Sequence, residues 1–384
     1  MQHHRNVWLG LALSLGLSGC SLFSSPVSPN DRPSLLAYAS MPADNAVAVV
    51  SVSDKRPVGV IEVGQAPVSL AINPRPDLEY LYTANENDGT VSFVDLRSRK
   101  QVQAIQAGSR PSGVAVTPPE KNPSTTARDQ NKQYVYVTSY GDRTVTRINA
   151  QTNAINKTFT PFSATFKPRG VVTYPMTKDF AAANLAAYVF SDTPATGSTD
   201  CEIIKINNDG SLGSVLTIPG SVNLWRGAIS PDGKRMYLAD RGASQLWKVN
   251  LENFTFDSSI PLNDKGYDVA ITDDGKMAYV TLPQAAAAAG RPSGLVQVIN
   301  LETNAKSTVP VNDRVTDATQ PQSIAVNAAG TELWVSLQNR LGYFGMVGGQ
   351  LNQQGSDRLS AVSYTSTPGQ APPISDIVLG AGIQ

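Results

Sequence analysis

Apolar and polar positions alternate with a period of two over short stretches, and the same phrases return along the chain. The first phrase is a run of small and β-branched residues, usually opened by proline: Pro67-Val-Ser-Leu-Ala-Ile72, Pro111-Ser-Gly-Val-Ala-Val116, Pro168-Arg-Gly-Val-Val172 and Pro321-Gln-Ser-Ile-Ala-Val326. Copies without the proline occur at Trp225-Arg-Gly-Ala-Ile229 and Gly266-Tyr-Asp-Val-Ala-Ile271. This composition suits strands buried on both faces, here named strand A. A turn follows, as at Asn73-Pro74, Ser230-Pro-Asp-Gly233 and Asp273-Asp-Gly275. The second phrase, strand B, mixes aromatic and β-branched residues: Tyr80-Leu-Tyr-Thr-Ala-Asn85, Tyr134-Val-Tyr-Val-Thr-Ser139, Met236-Tyr-Leu-Ala-Asp240, Ala278-Tyr-Val-Thr281 and Leu333-Trp-Val-Ser336.

Strand C ends in an apolar residue followed by Asp or Asn, as in Thr90-Val-Ser-Phe-Val-Asp95, Thr144-Val-Thr-Arg-Ile-Asn149, Leu246-Trp-Lys-Val-Asn250 and Leu295-Val-Gln-Val-Ile-Asn300. Such a side chain suits bonding to its own backbone to start the next hairpin turn. Short D segments complete each unit at residues 102–106, 154–159 and 307–311. No helical period is sustained in these units. Four antiparallel strands repeated every 40 to 58 residues or so describe the blades of a β-propeller. The first unit, beginning at Leu36-Ala-Tyr-Ala-Ser40, lacks a strand A, and Pro373-Ile-Ser-Asp-Ile-Val-Leu379 supplies a candidate at the far end. The expectation is therefore an all-β fold: seven blades, with three-plus-one strand closure between the N- and C-termini.

Tyr136-Val-Thr-Ser139 and Tyr279-Val-Thr-Leu282 nearly match a tetrapeptide that names a family, and Tyr82-Thr-Ala-Asn85 keeps its first and last residues. Over residues 36–379 the chain resembles the YVTN-repeat, surface-layer-like seven-bladed propellers. The resemblance implies the fold and leaves function open. A related propeller type is associated with single-stranded DNA, which makes nucleic-acid binding one alternative.

The N-terminus changes the chemistry available. Arg5, the apolar run from Val7 to Leu17 and Leu17-Ser-Gly-Cys20 have the order of a lipoprotein export signal. The expected organisation is a signal peptide over residues 1–19, a lipidated Ser/Pro-rich tether over 20–34, and the propeller over 35–384. Cys20 would carry the lipid and hold the protein on a membrane of the cell envelope, the outer one in a host with two. Cleavage would remove both histidines, His3 and His4, and leave Cys201 as the one thiol not committed to lipid. No disulfide framework, His-based triad, haem-attachment motif or phosphate loop is then available. No cofactor or metal is expected. The mature chain would carry one more acidic than basic side chain, which disfavours nucleic acid as a partner. Cys201 reads as a small buried hydrophobe.

Strand direction places the D-to-A and B-to-C loops on one face. That rim carries Arg110, Lys167, Arg169, Trp225, Arg226, Lys265 and Tyr267, with Tyr140, Arg143 and Arg241 on B-to-C loops. Guanidinium groups hold oxyanions bidentately and aromatic rings stack on flat ligands, so the rim is a candidate face for a protein or small anionic partner. The same residues also read as solvated loop cations balanced by Asp88, Asp142, Asp240 and Asp268. Asn85-Glu-Asn-Asp-Gly89 and Asn207-Asn-Asp-Gly210 read as hairpin turns rather than calcium loops. Insertions fall at residues 120–133, 194–201 and 283–294, the last with an alanine run, Ala285 to Ala289, suited to one helical turn. The expected function is non-enzymatic binding or scaffolding, with a carboxylate- or metal-dependent lactonase, hydrolase or lyase as the alternative.

Overall fold

The computed structural model describes residues 36–75, 78–121, 128–129, 132–160, 166–175, 185–192, 200–286, 293–311, 320–327, 332–337, 340–347, 350–351, 360–363 and 376–379. The export signal, Cys20 and the tether lie outside the described residues, as do residues 194–199 of one insertion. Within them the chain is an all-β propeller. Six four-stranded antiparallel sheets and one five-stranded sheet are joined by a small hairpin of Glu120–Lys121 and Arg128–Asp129 inside the first insertion.

The alternating phrases become strands because each puts its apolar residues on faces that neighbouring sheets cover. The innermost strands of sheets 2 to 7 are Pro67–Arg75, Pro111–Val116, Pro168–Thr173, Leu224–Ile229, Val269–Ile271 and Pro321–Val326. The strand predicted from Gly266 is regular only from Val269: Tyr267 and Asp268 still exchange backbone bonds with Thr281, while the Asp268 carboxylate takes the Val269 amide and reaches across to Ser323 and Ile324. Ala285 and Ala286 extend the strand Met277–Ala286 instead of forming a helical turn; residues 287–289 lie outside the described residues.

Sheet 1 takes its inner strand from the far end of the chain. Asp376–Leu379 pairs antiparallel with Leu36–Met41, in the register Ala37↔Leu379 to Ser40↔Asp376. Each inner strand touches the next in order, from Pro67–Arg75 round to Pro321–Val326, then to Asp376–Leu379 and back to Pro67–Arg75.

One position recurs around the ring. Tyr38, Tyr82, Tyr136, Tyr188, Tyr237, Tyr279 and Trp334 stand on the second strands of sheets 1 to 7. Each faces a small inner-strand partner: Val378, Ala71, Ala115, Val172, Ala228, Ala270 and Ala325. All seven aromatic side chains are at most 4% exposed. Large rings here fill the widening space between adjacent sheets, and small residues fill the crowded axis. Tyr82 meets Phe93 edge-on, centroids 4.7 Å apart, within the cluster shared with Val114, Val135 and Val137 of sheet 3.

The strand C termini close their turns as their chemistry predicts. Asp95 Oδ1 accepts the amides of Arg97 and Ser98, Asn149 Oδ1 those of Gln151 and Thr152, Asn250 Oδ1 that of Glu252, and Asn300 Oδ1 those of Glu302 and Thr303. Gly89, Gly210, Gly233 and Gly275, each preceded by Asp, carry positive φ in the turns read from Asp-Gly chemistry. Cys201 is fully buried, and burial pushes its thiol up to about 11.

Candidate functional site at the channel mouth

The rim is built by latching two loops of a sheet together, as seen in sheets 2, 3 and 5, where in sheet 2 the Glu86 amide donates to the Ala66 carbonyl at 2.9 Å. In sheet 3 the Tyr140 amide donates to the Arg110 carbonyl at 3.0 Å, and Arg110 adopts the left-handed region with φ 54°. In sheet 5 the Arg241 amide donates to the Asn223 carbonyl at 2.8 Å. Carboxylates reinforce the latch. Asp88 Oδ2 accepts the Gln65 amide at 2.7 Å, and Asp142 Oδ2 the Ser109 amide at 2.9 Å. Asp240, fully buried, accepts the amides of Val222, Asn223, Gly242 and Ala243 and the Trp247 indole N–H, all between 2.7 and 3.0 Å. Asp268 accepts the Ser323 hydroxyl at 2.6 Å and the Ile324 amide at 3.2 Å, tying sheet 6 to sheet 7. These four acids thus hold amides and hydroxyls of the loops and strands, which is a different role from counter-ions spread over the rim.

The latches bring cations and rings from sheets 3 to 6 into one alternating row. Arg110 and Lys167 lie 5.5 Å from the Tyr140 ring, and Arg169 lies 5.2 Å from it. Arg169 is 3.9 Å from the Trp225 ring, Arg241 is 3.8 Å from that same ring, and Arg241 is 4.1 Å from Tyr267. Arg241 also donates to the Tyr267 hydroxyl at 3.0 Å. On a single face of the indole two guanidinium carbons this near its centroid would be crowded to within about 4 Å of each other, a like-charge contact that placement on opposite faces avoids. The sequence order of the sheets agrees, since Arg169 comes from sheet 4 and the Arg241–Tyr267 contact joins sheets 5 and 6. Each such contact contributes roughly 0.5–2 kcal/mol, more as water is excluded.

The rings hold the cations without neutralising them. Among the described residues no carboxylate lies within ion-pair distance of Lys167, Arg169 or Arg241. Desolvation lowers the Arg169 pKa from its ordinary value, an effect opposed by Asp192 and Glu86 and reinforced by Arg241. Arg110 is the exception in the row: Glu86 Oε1 accepts from both its Nε, at 3.1 Å, and a terminal nitrogen, at 2.6 Å, and this contact raises its pKa. Glu86 belongs to the segment read from sequence as turn chemistry alone, and nothing in its local pattern signalled an ion pair with residue 110.

The remaining rim candidates stand elsewhere. Arg226 points across the channel and donates to the Val68 carbonyl of sheet 2 at 3.0 Å. Lys265 is exposed beside Asp264, whose carboxylate accepts its amide. Arg143 sits in the turn between strands Tyr134–Ser139 and Thr144–Asn149 with φ 60°. The rings also differ from the sequence expectation. Both faces of Trp225 are covered by guanidinium groups, so this indole acts as a platform for cations and not as a stacking surface for a ligand.

Below the row the channel encloses about 600 Å³, lined by Glu86, Arg169, Trp225, Arg226, Arg241 and Asp268 with Ser69, Ser112, Gln322 and Ser323. Further along the inner strands a second cavity of about 280 Å³ is bounded mainly by Ile72, Val116, Val172, Tyr174, Ala228 and Ile229. The channel is cationic at one mouth, and toward the other it is lined by apolar side chains with exposed backbone between them. Among the described residues no group of three or more His, Cys, Asp or Glu side chains is placed to hold a metal ion.

The chain matches no established protein-family profile and no curated protein sequence. Solved structures do resemble it. A functionally unknown protein from Desulfotomaculum acetoxidans superposes with a TM-score of 0.60 at 15% identity, covering 85% of this chain and 99% of that one. Kuenenia stuttgartiensis hydrazine synthase gives a TM-score of 0.45 at 18% identity, covering 80% and 73%. The first likeness supports the fold and says nothing of function.

Proposed function

We propose that this protein is a binding propeller of the cell envelope whose cationic channel mouth receives an anionic ligand or an anionic group of a partner. The observation that carries this reading is the pair Arg169 and Arg241. Both are fixed by the Trp225 ring, both lack a carboxylate partner among the described residues, and both line a cavity within the size range of small-molecule sites. A guanidinium held by aromatic rings, with no carboxylate in direct contact, keeps N–H donors for an incoming oxyanion.

The ring reads as seven-bladed, with the five-stranded sheet as the seventh blade. The cyclic order of inner strands and the seven equivalent buried aromatics support that reading. Anchorage through a lipid on Cys20 rests on Leu17-Ser-Gly-Cys20 and the short apolar run before it. A Cys20→Ser variant is expected to leave the membrane fraction; retention there would remove the lipoprotein part of the proposal.

The anion reading is tested by titrating the full chain with sulfate, citrate and inorganic phosphate, following tryptophan fluorescence and calorimetric heat. Binding to at least one of these is expected, weakening as salt rises, and lost in the double variant Arg169→Met, Arg241→Met. Binding that survives the double change, or no binding of any of the three, would overturn it.

A further inference from the structure

The Arg169–Trp225–Arg241 arrangement does more than concentrate positive charge. A guanidinium stacked on a ring keeps its N–H edge directed away from that ring, so stacking leaves the planar fork available to an oxyanion. Here there are two forks on one indole. Their carbons lie 3.9 and 3.8 Å from its centroid, so they are within about 8 Å of each other. The indole stands between them and prevents both forks from closing in-plane on one small anion. Each fork instead meets an anion at its own level, above or below the ring.

The neighbours strengthen this geometry. Arg169 is braced on its other side by Tyr140 and Arg241 by Tyr267, whose hydroxyl accepts one Arg241 donor. Neither guanidinium is therefore free to swing toward the other. Lys167 beside Tyr140 extends the positive row beyond Arg169, while Glu86 and Asp268 put carboxylates on the wall of the same cavity.

We propose that the site selects small dianions, molecules with two oxyanion groups held apart by a short spacer, one group on the Arg169 fork and the other on the Arg241 fork. This rests on the anionic-ligand reading above and narrows it to a class. The spacing follows from the thickness of an aromatic ring with a guanidinium on each face. Compounds whose charged groups are about 5–8 Å apart match it, and a monoanion reaches one fork only.

The test is a calorimetric length series on the full chain at constant ionic strength: butyrate as the single-charge control, then succinate, glutarate, adipate, pimelate and suberate. The matching α,ω-bisphosphonates form a second arm that distinguishes phosphate-type from carboxylate-type groups. An optimum between glutarate and pimelate, at least about tenfold tighter than butyrate, is expected in one arm or both. Arg241→Lys keeps the charge without the fork and is expected to bring the optimal dianion down to the level of butyrate. A flat series in both arms, with butyrate binding as well as any dianion, would refute two-point selection and leave the cationic mouth standing. If neither arm nor butyrate binds, the anion reading fails with it. Circular dichroism of Arg241→Lys checks that the ring is intact, and Trp225→Phe, which keeps a narrower platform, is expected to lower the optimal affinity while preserving the fold.

Discussion

The guanidinium carbon of Arg241 lies 3.8 Å from the centroid of the Trp225 indole. The two residues are sixteen positions apart in sequence and meet because the Arg241 amide is latched to the Asn223 carbonyl, which brings one loop of sheet 5 down beside the start of its inner strand. A ring and a cation are thereby fixed at the mouth of the channel before any ligand arrives, and that preorganisation is the basis of the predictions about binding.

Removing the platform is expected to disorganise the cations without unfolding the protein. Trp225 is only partly buried and stands at the rim, so Trp225→Ala should lower the unfolding midpoint modestly while weakening binding of the best anion tenfold or more. Parallel urea unfolding and calorimetry would separate the two effects. A large loss of stability with unaltered binding would contradict the platform role.

Asp240 is expected to behave in the opposite way. Its carboxylate satisfies five N–H donors in a fully buried position, and Asp240→Ala would leave several of them without acceptors. The expected loss is about 3 kcal/mol or more, read from chemical denaturation. Because the same carboxylate latches the Arg241 loop, anion affinity should fall as well.

The Cys201 thiol gives a pH signature. Burial raises its pKa from an ordinary 9.0 to about 11, so above pH 9 the unfolded chain loses this proton before the folded chain does. Its contribution is complete below pH 9 and declines from there to about pH 11, by roughly 2–3 kcal/mol in all. Cys201→Ala should flatten the first part of that decline in a series of denaturant midpoints. Buried tyrosines, Tyr188 and Tyr279 among them, also have raised values, and their contribution starts to be lost from about pH 10, within the upper half of that window. At pH 8 the native thiol should resist alkylation and react once the protein is denatured.

The terminal clasp should control cooperativity. Deleting residues 376–384 removes the strand that pairs with residues 37–40 and exposes an inner edge of sheet 1. A substantial fall in Tm is expected, together with aggregation through the freed edge. Unfolding indistinguishable from that of the intact chain would show that the ring does not depend on its closure.

Much of the fold was legible because its determinants are local. Pro111–Val116, Tyr134–Ser139 and Thr144–Asn149 begin and end where alternation and turn chemistry place them, since a strand with one apolar set of positions and an Asn that starts the next turn have little freedom in register. The later start of the sheet 6 inner strand at Val269 was not legible. It depends on Asp268 reaching Ser323 and Ile324, residues more than fifty positions away.

The rim divides along the same line. Residue type and loop placement were sufficient to collect Arg110, Tyr140, Lys167, Arg169, Trp225, Arg241 and Tyr267 as candidates. They gave no way to separate these from Arg226, which crosses the channel to Val68, or from Lys265, which stands in solvent beside Asp264.

What the amino-acid order determines alone is most of the strands, most of the turns between them and the identity of the charged side chains at one end of each strand, because period, propensity and turn chemistry act over a few residues; the turn read at Asn73-Pro74 is an exception, since both residues stay in the strand and pair with Tyr80 and Glu79. Which cation stacks on which ring, which acid latches a loop and which one faces the channel were decided by the closed ring. Some of those contacts join separate sheets, as Arg169–Trp225 and Asp268–Ser323 do, and others join two loops of one sheet, as Arg241–Trp225 does; none is local in sequence, and their distances exist only once the sheets have packed round a common axis.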